Sequence, residues 1–253
     1  MKRLGLVFVL ALIAALGPAR AADEQLVVGL TEDVIHITSS FTGAEFVVYG
    51  TVEALDPFKG ADERDIVIVV RGPSRDETVR KLKRVAGVWV NAEAERFTGV
   101  PSFYFLASTA PLDRITAPAV LKRKAIGLDN VGMEGPKGRE AAEYRKALIR
   151  NRVAGALFVE DVGAVQMNGP ALFQARIRMP ANVPVGAYTV DAYLFRNGQE
   201  LSAYSAPLVI EKLGIERTIY DFAHSYGSLY GIVTILVGVL IGLGAAFVFR
   251  EKD

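Results

Sequence analysis

The sequence predicts a mainly β chain, a β-sandwich ectodomain carrying a partly helical insertion and followed by one C-terminal transmembrane helix. Three observations carry this. Ile66 to Val70 is an unbroken run of branched residues, the pattern of a strand buried on both faces. Asn197-Gly198 stands between two strand patterns, where a two-residue hairpin turn needs positive φ at both positions. Leu229 to Phe249 holds twenty-one residues without a charge, enough for a helix to cross a bilayer core.

At the N-terminus, Lys2 and Arg3 precede the apolar run Leu4 to Leu16, the breaker Gly17-Pro18 and the small-x-small triplet Ala19-Arg20-Ala21. This reads as a signal peptide, residues 1–21, cleaved after Ala21. Residues 22–212 then form an exported domain, and the stretch 22–228 has a net charge of about −2, which offers no electrostatic reason to bind nucleic acid. Cysteine is absent, excluding thiol redox chemistry, cysteine nucleophiles, Cys-ligated metals and lipoprotein attachment. No Asn-x-Ser/Thr acceptor occurs, in keeping with a bacterial periplasm.

Short branched segments at Leu26 to Leu30 and Val34 to Thr38 read as strands, as does Phe46 to Val52, where apolar positions alternate. About residues 72–152 the pattern changes, and this stretch is the expected insertion. Ser74 and Glu77 have capping-box spacing, and Val79, Leu82 and Val85 recur at helical intervals, so a helix is expected from Ser74 to Arg84. AGVWV and FYFLAST fit strands or packed connectors. Gly138 to Arg150 predicts a helix with Ala141, Tyr144 and Leu148 on one face.

Strands return after Val153. Phe173, Ala175, Ile177 and Met179 alternate with Gln174, Arg176 and Arg178, giving one dry and one wet face. A Pro-rich corner, the strand AYTVDAYLFR, the Asn197-Gly198 turn and LSAYSAPLVIEK follow. This order matches strands E, F and G of an immunoglobulin-like sandwich, with Tyr188 at the place of a tyrosine corner. Two small domains in series are the alternative.

Residues 213–228, with Ile215, Ile219 and Phe222 at helical spacing, read as a juxtamembrane helix. Tyr220, Phe222, Tyr226 and Tyr230 are placed as interfacial anchors, and the tail 250–253, with Arg250 and Lys252, is expected in the cytoplasm. Within the span 229–249, Gly231, Gly238 and Gly242 fall along one side, which permits close helix packing against a membrane partner or a second copy.

Motifs for catalysis are missing: no Gly-x-Ser-x-Gly, Ser-x-x-Lys, His-Glu-x-x-His or Gly-rich Lys-Ser/Thr loop occurs. His36 reads as a solvent-facing strand residue and His224 as an interface residue, so no metal or cofactor site is expected. Gly132, Gly135 and Gly138 lack the strand-turn-helix setting of a nucleotide loop, and the carboxylates Asp62, Glu63, Asp65, Glu160 and Asp161 read as solvated loop groups. Basic residues gather in the insertion (Arg80 to Arg84, Lys122 to Lys124, Arg145 to Arg152), facing solvent, anionic headgroups or an acidic partner. Trp89, the sole tryptophan, is expected in the core.

The blocks WVNAEAERFTGVPSFYFLAST, ALFQARIRMPANVPVGAYTVDAYLFRNG and GIERTIYDFAHSYGSLYG, with the signal and the C-terminal span, resemble the alphaproteobacterial family of putative transmembrane proteins. The resemblance covers nearly the whole chain and carries over no catalytic residues. It implies an integral membrane partner, with a sulfite-exporter-like permease as one candidate. The reading is a non-enzymatic inner-membrane protein, accessory to a transporter. A solute-binding module is the alternative, and an envelope enzyme assembled from distant residues the third.

Overall fold

Ile66, Val67, Ile68, Val69 and Val70 are all completely shielded from solvent, and the fold is the answer to how both faces of one strand become dry. The computed structural model describes residues 24–38, 41–54, 58, 60–85, 87–212, 224 and 226–248. The expected signal peptide, most of the juxtamembrane segment with Tyr220 and Phe222, and the tail 250–253 lie outside these.

In chain order the strands are β1 (Glu24–Leu30), β2 (Val34–Ile37), β3 (Gly43–Ala54), β4 (Arg64–Arg71), β5 (Ser74–Val85), β6 (Val88–Pro101) and β7 (Tyr104–Ser108), with β8 (Phe158–Val162), β9 (Val165–Asn168), β10 (Leu172–Pro180), β11 (Gly186–Arg196) and β12 (Gln199–Lys212) after the helices. Helices are α1 (Leu112–Ile115), α2 (Pro118–Lys124), α3 (Arg139–Ala154) and α4 (Gly227–Val248). One sheet has the order β1-β3-β10-β9, the other β2-β12-β11-β4-β7-β8, and β5-β6 form a separate ribbon. The pairs β1–β3, β3–β10, β9–β10, β11–β12, β4–β11, β4–β7 and β5–β6 are antiparallel, and β7 runs parallel to β8.

The first sheet buries Phe46, Val48, Val52, Phe173, Ala175 and Ile177, the period-2 face the sequence displays. Opposite them, β11 contributes Val190, Ala192 and Leu194, which pair with Val70, Ile68 and Ile66 of β4 and share their face. The other face of β4, with Val67 and Val69 beside Tyr193 and Leu106, is dry for a different reason. The segment 112–131 covers it with buried Ile115, Leu121, Ile126 and Val131. A helical layer on the back of the sheet, rather than the sandwich core alone, accounts for the continuous apolar run.

Asn197 and Gly198 have φ of 51° and 82°, the positive values a tight β11–β12 turn requires. The Tyr188 hydroxyl donates to the Pro184 carbonyl four residues upstream. Burial pushes its phenol up to about 12, and burial pushes Tyr104 higher still. A raised folded-state value favours the folded protein fully below the ordinary tyrosine range and ceases to do so as pH climbs through the shifted one. Thermal stability is therefore expected to fall as pH rises from 10 to 12. The fall should be shallower in Tyr188→Phe, and calorimetry across that window checks it.

The stretch 72–152 differs from expectation. Ser74 to Arg84 is a strand, not a helix, because its backbone groups pair with β6 from Ser74 opposite Pro101 to Val85 opposite Val88. A helical spacing of Val79, Leu82 and Val85 cannot compete with a long antiparallel partner. Nor is the stretch wholly an insertion: β7, every residue of it buried, is an inner strand of the six-stranded sheet. Residues 24–35 and 42–210 make one compact unit.

In the second unit, His36 and Glu211 approach at 3.4 Å with both side chains about two-fifths exposed. His224, Tyr226 and Tyr230 are exposed. A side chain built on Gly231, Gly238 or Gly242 would meet no atom within 4 Å. Among the described residues no helix is long and apolar enough to cross a membrane; the described side chains of α4 are interrupted at 229, 233 and 245–248, which lie outside that set.

Candidate interaction site

The β5–β6 ribbon pairs over twelve and fourteen residues, about 40 Å of strand at ~3.3 Å per residue. Its lower half is anchored. Glu77 pairs with Arg152 of α3, the Tyr144 hydroxyl lies 3.2 Å from Glu93 Oε2, and Thr98 and Glu134 exchange backbone hydrogen bonds of 2.8 and 2.9 Å. Phe97, 2% exposed, lies so close over Gly135 that a Cβ there would meet its ring at 2.4 Å. Gly135 is thus small for packing, with no phosphate loop involved.

Higher up, β5 and α3 diverge around a groove of about 670 Å³. Val79, Leu82 and Ala147 supply apolar lining, and Arg80, Lys81, Lys146 and Arg150 supply cations against the single carboxylate Glu143. Lys81 reaches Glu143 only at 4.0 Å, with both side chains more than half exposed, so that pair contributes little. Among the described residues no carboxylate pairs with Arg80, Lys146 or Arg150.

Beyond the groove the ribbon ends in exposed apolar groups: Leu82 is 59%, Val88 63%, Trp89 64% and Val90 40% exposed. Trp89 is therefore not a core residue. Its position opposite Arg84 near the end of the ribbon leaves it 64% exposed among the described residues.

A second polar cluster sits on the back of the six-stranded sheet. Arg71 pairs with Asp191, which also accepts from Ser205 at 2.8 Å, while Arg71 Nη2 donates to the Lys124 and Ala125 carbonyls. Lys124 reaches Glu200 at 2.7 Å and lies 5.4 Å from the Tyr193 ring centroid. The Tyr104 hydroxyl donates to Ala125 O and accepts from Gly127 N. A depression of about 600 Å³ opens beside Arg71, but its guanidinium is committed to holding the helical layer down. Within the sequence's carboxylate clusters, Asp65 accepts from Thr109, Glu63 from Asn197 and Glu160 from the Leu128 amide, structural duties for these three. No group of three metal-ligating side chains occurs among the described residues.

The family model described as "Putative transmembrane protein (Alph_Pro_TM)" matches residues 25–251. The chain belongs to this family. The match runs from β1 through α4, so ribbon, groove and sandwich all fall inside it. No curated protein matches the chain in sequence. Among solved structures the chain is similar to Spo0M, a sporulation control protein of Bacillus subtilis, at 9% identity and TM-score 0.27 over 80% of this chain and 55% of that one. It is also similar to AggA, the major subunit of aggregative adherence fimbriae type I of Escherichia coli, at 12% identity and TM-score 0.26 over 75% of this chain and 96% of that one. The chain thus spans about half the length of the first of these.

The insertion's basic residues, which fall in three groups along the sequence, have separate fates. Lys124 and Arg152 are used in ion pairs, whereas Arg80, Lys146 and Arg150 come together at the groove. Sequence reasoning missed the groove because its two walls are about sixty residues apart. The absence of acidic residues between Arg80 and Val90 was the one local signal.

Proposed function

We propose that this family member is a non-enzymatic, inner-membrane-anchored periplasmic protein that works by contact with another envelope protein, as an accessory subunit of an integral membrane transporter. α4 crosses the bilayer with the C-terminus in the cytoplasm. Its twenty-two residues carry no charge and at ~1.5 Å per residue span about the thickness of a bilayer core. The sandwich is immunoglobulin-like: the orders β1-β3-β10-β9 and β12-β11-β4 correspond to strands A, B, E, D and G, F, C of that plan.

The observation that carries the reading is the groove between β5 and α3, apolar within and rimmed by four cations to one carboxylate. A complementary occupant is an acidic, partly apolar segment of the partner, since opposite potentials steer association and fix its register. In-cell crosslinking of the tagged full chain, followed by mild-detergent purification, tests this. A reproducible membrane partner is expected, reduced at least tenfold by Lys146→Glu with Arg150→Glu, both exposed and away from the core. Gly238→Leu with Gly242→Leu reports whether α4 shares in the contact. Recovery of the chain alone, or a partner indifferent to both pairs, overturns the reading.

A further inference from the structure

We infer that the tip of the β5–β6 ribbon, residues 80–85 and 87–90, is a second contact surface that docks on a bilayer carrying anionic headgroups. It adjoins the groove, with which it shares Arg80, Lys81 and Leu82, and it rests on the reading of α4 as a span only in that a span tethers the chain to a membrane.

The composition of the tip argues for lipid. Arg80, Lys81, Lys83 and Arg84 lie within five positions, and no acidic residue occurs from Val79 to Val90. Among the described residues neither Lys83 nor Arg84 has a carboxylate partner; Arg84 Nε instead donates to the Gly87 carbonyl at 3.3 Å. Interleaved with these cations are Leu82, Val88, Trp89 and Val90, all well exposed. Arg84 stands directly opposite Trp89 and Lys83 opposite Val90, so each face of the ribbon end presents an apolar group beside a cation. Such pairs suit the boundary between headgroups and acyl chains, where Trp rings settle and Lys and Arg extend their charges to phosphate. Left exposed, as they are among the described residues, these apolar groups would be an aggregation liability, and a bilayer covers both faces at once.

Trp89 is the only tryptophan of the chain, so its fluorescence reports the tip alone. The test reconstitutes the full chain in nanodiscs of phosphatidylcholine, with or without phosphatidylglycerol. Blue-shifted emission and quenching by brominated acyl chains are expected in the anionic discs, weaker in the neutral ones and diminished at high salt. Each cation near an anionic surface contributes roughly five-fold in binding, so Lys83→Glu with Arg84→Glu should lower the equilibrium constant for docking of the tip at least about thirty-fold while leaving Trp89 in place as probe.

Four outcomes are separable. A chain retained by the discs with water-exposed Trp89 overturns the tip proposal and leaves the span. A blue shift already present in detergent, indifferent to lipid charge, means the tip is covered by protein, which also overturns it. A chain held only by anionic discs and released by salt supports the tip and sinks the span. A chain that no disc retains sinks both.

Discussion

Glu24→Ala is expected to lower folding stability by about 3–5 kcal/mol, a large fraction of what a domain possesses. Glu24 sits at the start of β1, 3% exposed, and the Arg64 side chain it meets is 0% exposed. The pair is bidentate, Nε to Oε2 at 3.1 Å and Nη2 to Oε1 at 3.0 Å, with Arg64 Nη1 on the Pro170 carbonyl at 2.7 Å and Arg196 on Oε1 at 2.7 Å. One carboxylate therefore serves two guanidinium groups and ties β1, β4, β11 and the loop before β10 together. Removing it strips the charge that balances a buried cation, whereas replacing both partners with apolar side chains of similar volume costs far less. Glu24→Leu with Arg64→Met should accordingly be more stable than Glu24→Ala alone. Urea unfolding of the set decides: a Glu24→Ala midpoint close to the parent's would show that the cluster is solvated in solution.

Arg71→Ala is expected to cost roughly 3 kcal/mol and to loosen one layer rather than the whole. Arg71 joins Asp191 on β11 to the two carbonyls that end α2, and it lies 6.0 Å from the Tyr104 ring centroid. Its loss leaves Asp191 with only the Ser205 hydroxyl among these contacts and frees the Lys124 carbonyl. Hydrogen exchange should quicken across 112–131 while β3 and β10 stay protected, because those strands belong to the other sheet. Arg71→Lys keeps the charge but not the fork that bridges a carboxylate and two carbonyls, so it should recover only part of the loss. Uniform acceleration through both sheets would show that the helical layer is not a separately stabilised element.

The two effects differ because the groups answer different needs. Glu24 fastens β1, the edge strand of one sheet, to Arg64 and Arg196 of β4 and β11 in the other. Arg71 fastens a connection of about fifty residues that leads from β7 to its parallel neighbour β8. A parallel pair needs such a crossover, and a crossover lying on a sheet must bury its own apolar side chains against it.

The sequence by itself determined the strands whose partners are announced locally. Period-2 alternation in β10, the Asn197-Gly198 turn and the run in β4 each express a short-range constraint, so they could be placed before any coordinates. The face of α3 with Ala141, Tyr144 and Leu148 was equally legible, since helical spacing brings those residues together within three turns. Family membership was legible too, because blocks along the whole chain carry it.

Tertiary structure alone decided the rest. Ser74 to Arg84 became a strand because a long partner lay across a turn, and backbone pairing outweighed helical spacing. That same choice carried Trp89 out of the expected core onto an exposed tip. The second dry face of β4 required the segment 112–131 to fold back on it, and the groove required residues near 80 and near 146 to meet. In each case the deciding contact joins stretches far apart in the chain, where no periodicity within a single window can signal it.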